Sequence, residues 1–109
     1  MAEHLLKEGY KDPAAVMIGS VLEEHLRQLC QKNNVDTHII KGADTVPKRA
    51  EAMNIDLVKA KVYPLTDQKQ VTAWLDLRNN AAHGKYLEYK KEQVDLMYQG
   101  VLNFISRVN

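Results

Sequence analysis

The chain has 109 residues, 45% hydrophobic and 27% charged, which suits one folded domain over residues 1–109 and excludes a disordered chain. Its net charge of +1 excludes a uniformly basic surface that would attract nucleic acid or membranes over its whole area. A single cysteine, Cys30, excludes an internal disulfide and is typical of a cytoplasmic protein. The longest uncharged stretches, 13–22 and 96–106, are too short to cross a bilayer, so no membrane association is predicted.

The N-terminal third predicts two helices. A short helix over 2–8 ends before Gly9, and Asp12-Pro13 is typical of a new helix start. That second helix runs over 13–32. Its apolar residues recur at the spacing of one helical face, namely Ala14, Ile18, Val21, Leu22, Leu26 and Leu29. Residues 35–45 are interpreted as a loop.

Three further helices are predicted downstream. One begins near Pro47, capped by Asp44 or Thr45, and is broken or kinked at 54–56. The next is capped by Thr66 and stops at Gly84. The last covers 90–108 and has the clearest three- and four-residue apolar repeat. Because no stretch alternates with period two for long enough to indicate a sheet, the prediction is an all-α, up-down bundle of four to five helices.

Arg78 is the most informative residue of the fourth helix. At about 100° per residue, it falls between Trp74 and Leu75 on the apolar stripe of that helix. An unpaired guanidinium in a dry core is costly, so Arg78 must meet an acid, line a cleft or face another subunit. His83 lies five residues later, and both side chains reach one cleft only if the helix ends or loosens near Gly84.

The segment Arg78-Asn79-Asn80-Ala81-Ala82-His83, placed before a long amphipathic C-terminal helix, resembles the Arg-Asn-x-x-x-His motif of the HEPN superfamily. The resemblance implies a HEPN-like fold and a homodimer in which the Arg and His of two subunits form one composite site. Many members are metal-independent ribonucleases, some of them toxin-like or defence-associated. Partners implied for this chain are therefore RNA or a nucleotide, a second copy, and an antitoxin or fused domain, with no cofactor and no metal.

Side-chain chemistry gives each residue of the motif a role in RNA cleavage. His83 can take the 2′-OH proton or protonate the leaving oxygen, and Arg78 can neutralise charge that grows on the phosphate. Asn79 would support them, and products would end in a 2′,3′-cyclic phosphate. Lys85 and Tyr86 follow directly and suit backbone contact and base stacking, although a solvated helix start has the same composition.

Structural explanations of the same residues stay open. Arg78 could pair with Glu23 or Glu24, while His83 could simply be favourable at a helix C-terminus. His25, close to the stripe of its helix, is more typical of a hydrogen-bonded core or interface histidine than of a catalytic one. A second hypothesis is therefore a non-catalytic HEPN-like module that binds a nucleotide or protein, or that serves only for dimerisation.

Overall fold

The computed structural model describes residues 11–109, so the helix predicted over 2–8 lies outside the described residues. Within that range the chain forms four α-helices and one small hairpin, which confirms the all-α fold class. The elements are α1 (Lys11–Lys32), β1 (His38–Lys41), β2 (Asp44–Pro47), α2 (Ala50–Lys59), α3 (Leu65–Ala82) and α4 (Lys91–Arg107), with a 3₁₀ turn (Tyr86–Glu88) before α4. No helix of residues 11–109 is long and apolar enough to cross a membrane.

Helix α1 is the centre of the bundle and contacts α2, α3 and α4. Its predicted apolar stripe faces these helices, and Leu22 and Leu26 are fully buried. The exception is Val21, which is about half exposed on the edge of that stripe. Burial of one continuous apolar face explains why this helix forms over 22 residues despite Gly19 in its interior.

Helix α4 covers nearly the predicted span and packs its repeat onto the core. Phe104 is fully buried and meets the rings of His25, Tyr63 and Trp74 edge-on, with centroids 5.2–6.2 Å apart. Gly100 lets Trp74 approach closely, because a methyl group there would lie 2.5 Å from Cζ2 of the indole. Glycine at this position therefore allows α4 and the indole of α3 to pack in direct contact.

The hairpin corrects the prediction of a loop over 35–45 and of no sheet. Strands β1 and β2 are antiparallel, with Ile39 opposite Val46 and Ile40 opposite Thr45. Residues 42 and 43 form the turn, and Gly42 has a φ of +61°, which glycine adopts without strain. The chain therefore enters α2 at Ala50, after β2 has ended at Pro47. The predicted helix start at Pro47, capped by Asp44 or Thr45, is wrong.

The predicted break at 54–56 is also wrong, because α2 continues to Lys59. Asn54 is a poor helix former, yet its buried amide donates to the Gln68 carbonyl at 3.2 Å and to Thr72 Oγ1 at 3.1 Å. Its Oδ1 accepts from the Tyr63 hydroxyl at 2.6 Å. These long-range bonds satisfy the side chain inside the helix and tie α2 to α3.

The predicted Thr66 cap of α3 is wrong, because the N-cap is Pro64, two residues earlier, and Leu65 is already helical. The predicted stop at its other end is confirmed. His83 is the C-cap, and Gly84 follows with a φ of +74°, the left-handed conformation that ends many helices.

Candidate functional site

The side chain of Arg78, on α3, extends across the surface of α1 and lies over Gly19. A methyl group on Gly19 would lie 2.1 Å from Arg78 Cγ, so only glycine allows this contact between the two helices. The side chain is 16% exposed. Its aliphatic part packs against α1 while its guanidinium reaches the acids beyond, as long cationic side chains commonly do.

The guanidinium is the middle member of a chain of alternating charges. Nη1 donates to Glu23 Oε1 at 3.0 Å, and Nη2 lies 3.5 Å from Glu51 Oε1. Glu23 also pairs with Arg27 at 3.2 Å, and Glu51 with Arg49 at 3.9 Å. Three arginines thus alternate with two glutamates, and we call these five residues the Arg78 network. The network contains one more cation than anions. It joins α1 and α3 to Glu51 of α2 and to Arg49, the N-cap of α2.

The contact with Glu51 is the longer of the two ion pairs that Arg78 makes. Glu51 Oε1 is buried and makes no hydrogen bond with any described residue. The 3.5 Å to Arg78 Nη2 permits electrostatic attraction but is long for a hydrogen bond. Glu23 therefore holds the guanidinium more firmly than Glu51 does, and the carboxylate of Glu51 retains unused hydrogen-bonding capacity.

Asn79 connects the Arg78 network to an adjoining groove. Its Oδ1 accepts from Arg78 Nε at 3.0 Å, so this amide helps to orient the guanidinium. The residue also lines a groove of about 480 Å³ between the hairpin, α2 and the C-terminal part of α3. We call this space the hairpin groove. Its other lining residues include Ile39, Lys41, Lys48, Arg49, Glu51 and Ile55.

His83 lies one turn beyond Asn79, and its backbone N–H donates to the Asn79 carbonyl at 3.0 Å. The side chain is exposed and makes no hydrogen bond or ion pair with another residue of the described range. Gly84, with a left-handed backbone conformation, follows the end of α3 at this point. The sequence predicted such a helix end near Gly84. No hydrogen bond or ion pair joins His83 to Arg78 within the described part of the chain, so the motif provides one exposed and one paired member.

Lys85 and Tyr86 are both exposed in the connection after His83. Lys85 precedes the 3₁₀ turn, and the Tyr86 hydroxyl is positioned 3.6 Å from where a methyl on Gly84 would lie. Further along, the buried Tyr89 donates its hydroxyl to Asp12 of α1. The connection is therefore anchored to α1 at its far end, while the segment nearest His83 faces solvent.

Two other side chains considered in the sequence, His25 and Cys30, are part of the core packing. His25 Nε2 lies 2.5 Å from the Val108 carbonyl, and its ring packs edge-on to Phe104, which fits the interpretation as a hydrogen-bonded core histidine. Burial raises the pKa of the Cys30 thiol, so the reactive thiolate is disfavoured. No three His, Cys, Asp or Glu side chains among residues 11–109 are grouped so as to hold a metal ion.

Comparison with known proteins finds no relative: no family model, no curated protein and no solved structure matches the chain. The likeness to the HEPN motif therefore remains a prediction carried by Arg78, Asn79 and His83. Within the chain, the structure joins Arg78 to Asn79 and puts His83 one turn beyond Asn79. Glu23 was one of two partners considered for Arg78. Glu51 and Arg49 were missed, because only the packing of α2 against α3 brings them to Arg78.

Proposed function

We propose that this protein is a homodimeric, metal-independent endoribonuclease of the HEPN type, with a site shared between two copies. The observation that carries the proposal is the exposed ring of His83 one helical turn from the Arg78–Asn79 pair. An exposed imidazole has access to a polymeric substrate and can act as a general acid or base. A toxin-like or defence-associated role, in a cytoplasmic setting and with an antitoxin as partner, belongs to the same proposal.

The reaction uses only groups that RNA and the protein supply. The 2′-oxygen bonds to phosphorus, the bond from phosphorus to the 5′-oxygen breaks, and the product is a 2′,3′-cyclic phosphate. His83 takes the 2′-OH proton and then, as the imidazolium, gives a proton to the leaving 5′-oxygen. Arg78, held by Glu23 and Asn79, offers its guanidinium to the phosphate oxygens as negative charge grows on them.

A second candidate is a non-catalytic module that binds a nucleotide or a partner protein. The pairing of Arg78 with both Glu23 and Glu51 favours it, because these carboxylates already neutralise the charge that a phosphate would need. The longer contact with Glu51 favours the ribonuclease instead. Arg78 Nη2 lies 3.5 Å from Glu51 Oε1, so this nitrogen can turn toward a phosphate at modest cost.

Cleavage of a mixed RNA pool in EDTA tests the proposal. Wild type should produce fragments with 2′,3′-cyclic phosphate ends, and His83→Ala should reduce the rate by about 10²- to 10⁴-fold. His38→Ala is the matched control, because His38 is also exposed but lies in the hairpin. Absence of cleavage by folded wild type, or equal rates for the two histidine variants, would favour the non-catalytic module.

A further inference from the structure

The hairpin groove carries more positive charge at its rim than the near-neutral chain would suggest. Lys41, Lys48 and Arg49 line it together with a single acid, Glu51. Lys48 is bound to Asp56 at 2.6 Å and is thereby neutralised. Lys41 is exposed at the end of β1 and makes no ion pair with another described residue. Arg49 is 84% exposed, and its Nε lies as far as 3.9 Å from Glu51 Oε2. Lys41 and Arg49 are therefore the two cations of the groove that are available to bind an anion.

The floor of the groove has a different character. Ile39 of β1 and Ile55 of α2 are both more than 40% exposed and face the same space. These two partly exposed isoleucines, from different elements, give an apolar surface against which a flat, weakly polar group can pack. The amide of Asn79 lines one side and can hydrogen-bond to the edge of such a group.

The Arg78 network contributes its excess positive charge to the rim of the groove through Arg49. Its five members alternate in sign and leave one net positive charge, with Arg49 at the outer end. A polyanion approaching the groove therefore meets two exposed cations at the rim, Lys41 and Arg49, while the other four members of the network balance in charge. The volume of about 480 Å³ lies within the range of sites for small ligands and single nucleotide units.

We propose that the hairpin groove binds one nucleotide unit of single-stranded RNA. Lys41 and Arg49 contact the flanking phosphates, and the base packs between Ile39 and Ile55 with Asn79 at its edge. Because His83 follows Asn79 by one turn, about 6 Å along the helix axis, a strand that leaves the groove past Asn79 reaches the exposed imidazole. The inference rests on the proposed function, for which it defines a substrate subsite.

Binding is tested apart from cleavage with a fluorescent 2′-O-methyl oligonucleotide of about eight residues, which covers a typical single-strand site. This probe lacks the nucleophilic 2′-OH and stays intact. Fluorescence anisotropy is recorded for wild type and for the double variant Lys41→Gln/Arg49→Gln. The control, Lys59→Gln/Lys69→Gln, removes the same charge from exposed positions of α2 and α3 outside the groove.

We expect the groove variant to bind at least about tenfold more weakly than wild type, and the control variant to change affinity less than about twofold. Loss of two phosphate contacts should also lower the salt dependence of binding by about 1.4 in log K against log salt. Equal weakening by both double variants would show a general charge effect and overturn the proposal. Absence of binding by wild type at low salt would do the same.

Two further variants separate this proposal from the nuclease itself. His83→Ala should weaken binding of the probe less than the groove variant does, and Ile55→Thr should weaken binding with no change in salt dependence. If RNA is never cleaved but binding depends on Lys41 and Arg49, the ribonuclease proposal is wrong and the groove is supported as a binding site. If cleavage depends on His83 while the two double variants bind the probe equally, the groove is not the binding site and the ribonuclease proposal is supported.

Discussion

Arg78 and His83 are five residues apart in one motif, but they occupy contrasting surroundings. Arg78 lies mostly buried over Gly19, with its guanidinium paired to two carboxylates and one amide. His83 is exposed at the end of the same helix, next to a left-handed glycine. The difference shows that one half of the motif is built into the helix packing, whereas the other can change without disturbing it. Four substitutions test this contrast by their effects on stability.

Arg78→Ala should have the largest effect. It leaves Glu23 and Glu51 without their shared cation, and breaking a buried pair typically costs 3–5 kcal/mol. Because both carboxylates are more than a third exposed and partly screened by water, we expect unfolding free energy to fall by about 2 kcal/mol. Urea unfolding measures this directly. A fall below about 0.5 kcal/mol would mean that the Arg78 network does not hold the helices together.

Gly19→Ala tests the close approach of α1 and α3. The added methyl would overlap Arg78 Cγ near the backbone, where the side chain cannot swing away. The destabilisation caused by overpacking should exceed the stabilisation from the better helix propensity of alanine. We therefore expect the free energy of unfolding to fall by about 1.5 kcal/mol. Ser20→Ala, one residue further along the same helix and exposed, is the control and should be near neutral. Stabilisation by Gly19→Ala would contradict the observed contact.

Gly84→Ala perturbs the open end of α3. A residue with a side chain is strained at a φ of +74°, which should cost about 1 kcal/mol in thermal or urea unfolding. Gly84→Asn should recover part of that loss, because asparagine tolerates the left-handed region better than alanine. Equal stability of wild type and the alanine variant would mean that the turn after His83 has a different backbone conformation.

His83→Ala should have the smallest effect on stability, within about 0.5 kcal/mol of wild type, because the exposed side chain contacts no described polar partner. Its unfolding curve, compared with that of Arg78→Ala, gives the contrast in a single experiment. A loss as large as that of Arg78→Ala would show that His83 is also a structural residue, and would weaken its role as an acid/base.

Sequence periodicity predicted the parts of the fold that depend on local pattern. Helices α1 and α4 follow from their apolar repeats, and the end of α3 follows from Gly84. The hairpin was missed because four-residue strands are too short to show alternation. Gly42, between the segments Ile39-Ile40 and Thr45-Val46, was the available signal, since a glycine between β-branched runs is typical of a tight turn.

The site was predictable to the extent that it is local. The position of Arg78 on an apolar stripe required a partner or a cleft, and Glu23 of α1 was among the partners considered. Glu51 and the hairpin groove could not be predicted, because they depend on how α2 and the hairpin pack against α3. The error at Asn54 has the same origin: contacts with Tyr63 and Thr72, distant in sequence, outweigh its poor helix propensity.

The most direct test of the proposed shared site mixes two variants that are each expected to be inactive. Arg78→Gln and His83→Ala are co-refolded in equal amounts and assayed on RNA in EDTA. If Arg78 of one subunit acts with His83 of the other, mixed dimers have one intact site, and the mixture should show about a quarter of wild-type activity. Activity no higher than that of either variant alone would contradict a site shared between two copies.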